Sequence, residues 1–386
     1  MRPPAHLIAL LLAVGVPAAS AAASPAPDAQ PAGFRQAEGT RTWRFPRDHG
    51  QHPAYRLEWW YYTGIVRTAG GRVFGYQVTF FRQGVREPGA QEPPRRSAWA
   101  VRSLYLAQVA LSDIAGQRYL HASRASRDSL GLSGAAPDRM QVWVESWRAD
   151  PLQDSGNGAR LRVDAGNFAL SLTLRAERDP VLNGQGGLDR KGAEPGQASW
   201  YYSLPRMATE GTVRVDGDSF AVSGTTWMDH EFGTSQLGPQ LAGWDWMGLR
   251  LDDGSDLMLY RLRRTDGGTD PHSGGIYVAP DGRRSRIVLT SDGAGRATLA
   301  PGRMWHSARS GADYPLEWEL ALPGQGLHLH LSPAFDAQEQ TATAGTPFAY
   351  WEGAVGVHGT RNGRPIRGEG YLELTGYAGR LGGALR

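Results

Sequence analysis

Hydrophobic residues recur along this chain with a period of two. Phe168, Leu170, Leu172 and Leu174 alternate with small or polar residues, as do Leu316, Trp318, Leu320 and Leu322, and then Leu327, Leu329 and Leu331. Such alternation puts all the apolar side chains of a segment on one side of an extended strand. Between runs of this kind lie Gly70-Gly71, Asp216-Gly217, Asp253-Gly254, Asp281-Gly282 and Asn362-Gly363, pairs suited to tight hairpin turns. No stretch carries a long helical period. The pattern predicts an all-β protein.

One hairpin pattern occurs twice. Trp60, Gly64, Gly70 and Tyr76 are repeated by Trp244, Gly248, Gly254 and Tyr260 at a constant offset of 184. As a duplication, this predicts two similar β domains of a size typical of closed barrels. The boundary is expected near Pro205–Gly211, giving barrels over 41–208 and 209–386.

Composition fits this picture: 386 residues, 40% hydrophobic and 20% charged, with 51 Gly and 13 Trp, describe a globular, turn-rich and aromatic-rich chain. The net charge of +3 raises nucleic-acid binding, but the Arg residues are scattered singly among acids. Arg95-Arg96 and Arg283-Arg284 are the densest pairs, and a nucleic-acid footprint would be a clustered stripe. No nucleic-acid partner is expected.

Residues 1–23 have the form of an export signal: Arg2, the apolar run Leu7–Val16, and the small residues Ala19-Ser20-Ala21. The run is well short of the ~20 residues of a spanning helix. Residues 24–40 form an expected loose leader, rich in Ala and Pro at its start. With no Cys in the chain, disulfides, thiol nucleophiles and Cys-ligated zinc are excluded. The expectation is a soluble protein outside the cytoplasm, periplasmic in a Gram-negative cell, with cleavage near residues 21–24.

The densest chemistry is "GTTWMDHEFG" (224–233). On a strand, Trp227, Asp229 and Glu231 point one way, and Met228 and His230 the other. An adjacent trio on a regular strand therefore cannot converge on one ion. His49 and His52 could chelate only if their segment turns, and Pro53 favours an extended exit. No metal is expected. Asp245 faces away from both Trp244 and Trp246: if it looks into a barrel, the two Trp look outward, into an interface between barrels. Glu58 shares a face with Trp60 and Tyr62, and Glu352 follows Trp351 in "YWEG". Each acid has a structural reading as well, as a group bonding backbone NH or Arg. No G-x-S-x-G elbow, no H-E-x-x-H pair and no phosphate loop is present, and no cofactor is expected.

Several of these segments together resemble one family. "DHGQHPAYRLEWWYYTG" (48–64), "FGYQVTFFR" (74–82), "SWYYSLPR" (199–206), "WMDHEFG" (227–233), "GWDWMGLRLDDG" (243–254) and "YWEGAV" (350–355) look like the carotenoid 1,2-hydratase/AttH-like family, in order across about residues 40–377. The resemblance implies a tandem of two lipocalin-like antiparallel β-barrels. One branch of that family hydrates a terminal C=C of acyclic carotenoids, with an Asp proposed as proton donor. Related fungal two-barrel proteins guide cyclisation of polyenes. Many secreted bacterial members, often encoded beside ABC-transporter permeases, are labelled predicted hydrolases.

Two functions follow as expectations. The first is acid-catalysed hydration of a long apolar lipid or polyene. Protonating an alkene needs a carboxylic acid whose pKa is raised by apolar surroundings, with aromatic faces to stabilise the cation. Asp229 and Asp245 are the expected acids, Glu231 and His230 complete the catalytic set, and Trp227, Trp244, Trp246 and Tyr202 line the cation path. Glu58, Trp60, Tyr62 and Trp351 are further candidates for ligand contact. The alternative is a non-catalytic lipid carrier or chaperone working with an envelope ABC transporter.

Overall fold

The computed structural model describes residues 33–87, 100–235, 238–289, 297–341 and 348–379. The expected export signal at 1–23 lies outside these residues. Among the described residues, no helix is long and apolar enough to cross a membrane.

The chain is all-β, as the alternation predicts. Strands β1 (Leu57–Arg67), β2 (Val73–Gly84), β3 (Ser103–Asp113) and β4 (Arg118–Arg127) form a meander. The short β5 (Ser133–Ala135), β6 (Val142–Val144) and β7 (Trp147–Leu152) lead into β8 (Ser155–Asp164) and β9 (Phe168–Ala176). Two short pieces, β10 (Val181–Leu182) and β11 (Leu188–Arg190), pair with the long β12 (Ala198–Val215), which turns back as β13 (Asp218–Gly233). Because β13 also pairs with β1, the order β4-β3-β2-β1-β13-β12-β9-β8-β7-β6-β5 curls into a nearly closed barrel.

The second sheet is a half-barrel. It is built from β14 (Leu241–Leu251), β15 (Asp256–Arg264), β16 (Gly274–Val278), β17 (Arg284–Val288) and β18 (Thr298–Pro301). After a separate ribbon of β19 (Met304–His306) and β20 (Asp313–Pro315) come β21 (Trp318–Leu322), β22 (Leu327–Pro333), β23 (Glu339–Gln340), β24 (Tyr350–Arg361) and β25 (Arg364–Leu374). The order is β17-β16-β15-β14-β25-β24-β22-β21-β18.

All five predicted turn pairs lie between paired strands. Asp216-Gly217 and Asn362-Gly363 are two-residue hairpin loops in which both residues have positive φ (53° and 95°, 49° and 77°), the conformation that favours Asp-Gly and Asn-Gly there.

The sheets divide after Gly233, not at 208/209. Pro205–Gly211 lies inside β12, where the pairing with β13 shifts register between Leu204 and Met207. A proline has no N–H to donate, and a bulge is where a strand interior tolerates that. What resembled a linker is a kink in a continuous strand.

The repeated hairpin also needs revision. β1 and β14 do start 184 residues apart. Trp60 and Tyr76 pack inside the first barrel, but Trp244, Trp246 and Tyr260 pack outside the second, where Met247, Leu249 and Leu259 point inward. A one-residue change of register moves every side chain to the other face. The strands correspond; their faces do not.

Three cores result. One fills the first barrel, one the second, and a third lies between them, including Tyr61, Tyr201, Trp227, Trp246, Tyr260 and Tyr371. The barrels meet closely: a Cβ on Gly75 would lie 2.7 Å from the Tyr371 hydroxyl and 2.9 Å from Ala354 Cβ.

Candidate functional site

Strand alternation carries "WMDHE" to two different places. On β13, Met228 and His230 enter the first barrel, whereas Trp227, Asp229 and Glu231 face the second.

Inside the first barrel, His230 belongs to a closed polar network around Glu58. The Arg82 guanidinium donates to Glu58 Oε2 at 3.0 Å, and His52 Nδ1 and His230 Nε2 each lie 2.9 Å from Oε1. Tyr202 Oη lies 3.0 Å from His230 Nδ1 and 2.6 Å from His49 Nδ1. Trp60 stacks on His230 and donates to the carbonyl of His49. Burial alone would push the Glu58 pKa up, but Arg82 and the bonds from His230 and His52 hold it well below the usual carboxylate range.

His52, Glu58 and His230 bring potential ligand atoms within 4.8 Å of one another, a convergence the sequence did not reveal. The hydrogen-bond roles do not suit a metal. His52 Nε2 lies between Arg41 at 2.8 Å and Asp48 Oδ1 at 3.3 Å, and its Nδ1 faces Glu58, where a carboxylate acceptor requires a proton on the ring nitrogen. The carboxylate only accepts, so His230 Nε2 also carries its proton there. Two imidazole N–H groups, the backbone N–H of His52 and the Arg82 guanidinium surround this carboxylate, which is a strut.

Burial lowers the pKa of both His49 and His230 from 6.5 to about 4. As the pH falls, the unfolded chain therefore takes up these protons first. Stability from this source is complete above about pH 6.5 and declines towards pH 4, by about 1.4 kcal/mol per pH unit for each histidine. The raised carboxyls act with the opposite sign over the same range, so the histidine term is read as a difference. The margin in urea midpoint between the natural protein and His49→Gln should shrink as the pH falls from 7 to 4, and a margin independent of pH would contradict the assignment.

On the other side of β13 a cavity of about 390 Å³ lies between the barrels, within the ~300–1,000 Å³ of small-molecule sites. Trp59, Tyr61, Tyr201, Trp244, Trp246 and Tyr260 line it, with Leu57, Phe81, Leu104, Leu106 and Phe348. Asp229 and Glu231 enter from β13, Glu352 from β24, Glu373 from β25, and Lys191 follows β11. A more open surface groove of about 570 Å³, at Phe45, Asn157, Asp179 and Arg284, gathers no comparable group of acids.

Asp229 sits opposite Tyr61 on β1 and Ser203 on β12. Its Oδ1 accepts from Ser203 Oγ at 2.5 Å and Trp227 Nε1 at 2.8 Å, and its Oδ2 from Tyr201 Oη at 2.7 Å. Trp246 Nε1 in turn donates to Tyr201 Oη at 3.2 Å. Burial raises the Asp229 pKa to about 7 against the pull of these three donors, and Glu231 adds to the rise. Both its acid and its ionised form are therefore accessible near neutrality.

Glu352 and Glu373 are direct cross-strand neighbours. Burial raises both, and the charge of Glu373 raises Glu352 further. Glu352 accepts from Tyr61 Oη and from Gln340 Nε2. Burial also raises Glu231, which accepts from Ser199 Oγ and lies 3.4 Å from Lys191 Nζ. Burial opposes the charge on Lys191, yet Asp189 and Glu231 hold its pKa above the ordinary value.

The cavity thus collects Asp229, Glu231, Glu352, Trp244 and Trp246 of the sequence candidates, with Trp227 behind Asp229. It does not collect the others. Glu58, Trp60, Tyr62, Tyr202 and His230 are inside the first barrel, and Trp351 is inside the second. Asp245 points into the second barrel, where it meets Arg261 Nε at 2.7 Å, Arg263 Nε at 3.0 Å and Tyr377 Oη at 2.9 Å. Fixed between two guanidinium groups, it is a structural strut and not the free acid that its sequence position suggested. Tyr61, Lys191, Tyr201, Tyr260 and Glu373 were missed.

A family model described as AttH-like matches residues 36–377. A protein of Nitrosomonas europaea described as AttH has a structure similar to this one, with TM-score 0.77 and 33% identity over 89% of this chain and all of that one. Kievitone hydratase of Fusarium solani subsp. phaseoli is 24% identical over 237 residues, 60% of this chain and 62% of that protein. The match thus spans less than two thirds of that relative. The crystal structure of kievitone hydratase from Nectria haematococca shares the fold, with TM-score 0.64 and 16% identity over 89% of this chain and 97% of that one. The chain belongs to the AttH-like family.

Proposed function

We propose that the protein is a hydro-lyase that adds water to a carbon–carbon double bond at the end of a long apolar molecule, with Asp229 as the acid. The observation that carries this reading is a fully buried carboxyl, raised to about 7, facing an aromatic-lined cavity. The family relationship to a hydratase supports it.

The alkene π electrons take the proton from Asp229, forming a C–H bond and leaving the carboxylate. The resulting carbocation lies among the faces of Tyr61, Tyr201 and Trp246, whose π electrons attract positive charge. A water lone pair closes the C–O bond, and the extra proton leaves to an ionised carboxyl of the cavity. Glu352 and Glu373, supplied by the second sheet, face the same space. The cavity is too small to enclose a whole polyene, so it holds the reacting end while the rest passes over Leu104, Leu106 and Phe348.

Export to a periplasm is part of this proposal, supported by the character of residues 1–23. So is an apolar lipid or polyene ligand. The test is incubation of the purified protein with lycopene or neurosporene in ¹⁸O-labelled water. The expected result is a product heavier by one labelled water. Tight retention of the polyene with no product, unchanged by Asp229→Asn, would instead support a carrier working with an envelope ABC transporter.

A further inference from the structure

Several buried carboxylates elsewhere in this protein are matched by cations, Glu58 by Arg82, Asp245 by Arg261 and Arg263, and Asp256 by Arg178 and Arg206, while Glu339 is held by the hydroxyls of Ser307, Ser310 and Tyr314. In the cavity between the barrels the balance differs. Asp229, Glu352 and Glu373 make no ion pair with any described residue. Among the described residues Lys191 is the one cation lining the cavity, and it is already held by Asp189 at 2.6 Å and Glu231 at 3.4 Å.

The same cavity already shows how it treats a positive charge. The Lys191 ammonium lies 4.1 Å from the ring centroid of Tyr260 and 5.2 Å from that of Tyr201. Both distances are inside the range of cation–π attraction. Tyr61 and Trp246 stand edge to face, 5.2 Å apart. They leave a second aromatic wall beside Glu352 and Glu373, with no ammonium of the chain against it.

We propose that this unfilled half of the cavity binds a cationic end group, a tertiary or quaternary ammonium carried on an apolar chain. The ammonium seats against Tyr61 and Trp246, its arrival releases a proton from the Glu352–Glu373 pair to water so that a carboxylate faces it, and the chain lies along the apolar entrance at Leu104, Leu106 and Phe348. The inference rests on the cavity being the ligand site, as in the proposed function. A stable ammonium there mimics the charge of the carbocation and makes such amphiphiles inhibitors.

The test uses dodecyltrimethylammonium, dodecanol and dodecanoate, each below its micellar concentration at pH 7, with binding followed by calorimetry. The ammonium should bind about tenfold more tightly than the alcohol, and the carboxylate more weakly than either. In the double variant Glu352→Gln, Glu373→Gln the preference for ammonium over alcohol should shrink to about threefold or less, with alcohol affinity unchanged as a check on the fold. Equal or tighter binding of the alcohol or carboxylate by the natural protein, binding of none of the three, or an undiminished preference in the variant would overturn the inference. The ranking needs no turnover. Failure of hydration therefore leaves it standing, and a wrong ranking leaves the Asp229 chemistry to be judged by its own assay.

Discussion

Asp229→Asn lowers the turnover of a hydrated substrate by about 10²–10⁴-fold, the contribution of one positioned general acid, while KM changes little. Asn has the shape of Asp and keeps an oxygen to accept from Ser203 and Trp227, so β13 and the cavity wall stay in place. It has no acidic proton to give. The loss therefore falls on kcat, because the interaction removed exists only in the transition state. Single-turnover measurements of both forms, with circular dichroism to verify the fold, check this. A variant with more than about a tenth of natural turnover would remove Asp229 from the acid role.

Glu58→Gln is expected to destabilise the protein by about 3–5 kcal/mol, the range for breaking a fully buried ion pair from one side. Gln keeps the shape but leaves the Arg82 guanidinium, 1% exposed, without its charge partner. It also faces the N–H groups of His52 and His230 with a weaker acceptor. Against a total stability of about 5–15 kcal/mol, this is a large fraction. The double variant Glu58→Leu, Arg82→Met should recover only part of the loss, because it removes the desolvation of both charges but leaves the His52 and His230 N–H groups without their acceptor. Urea unfolding measures both. A single-variant loss under about 1 kcal/mol would mean that the network is not the strut described.

The period-two alternation carried much of this architecture in the sequence. It predicted an all-β chain, its hairpin turns and the split of Asp229 and Glu231 from His230, because each rests on local geometry. It also left open which way Asp245 points, and the two arginines on β15 decide that. The domain boundary was not legible, since Pro205 looks like a break unless one knows that β12 bulges around it. The swapped faces of the repeated hairpin were hidden for a related reason: identity at an even offset says nothing about which side each sheet buries.

The cavity itself was the least legible part. Asp229, Lys191, Glu352 and Glu373 come from four separated segments, and only the packing of one barrel on the other brings them together. One signal was available. In "EWWYY" the even positions fill the first barrel, so the odd ones, Trp59 and Tyr61, must face elsewhere. The same parity that sent Trp351 inward sends Glu352 to the cavity.

The central claim is that Asp229 holds a proton near neutral pH while facing this cavity. A carbon-13 titration of the aspartate carboxyls, with the Asp229 signal assigned by its absence in Asp229→Asn, measures that directly and needs no substrate. The account predicts a midpoint near 7. A signal that titrates in the ordinary range around 4, about the unperturbed value for Asp, would show a carboxylate already ionised at neutral pH and would contradict it.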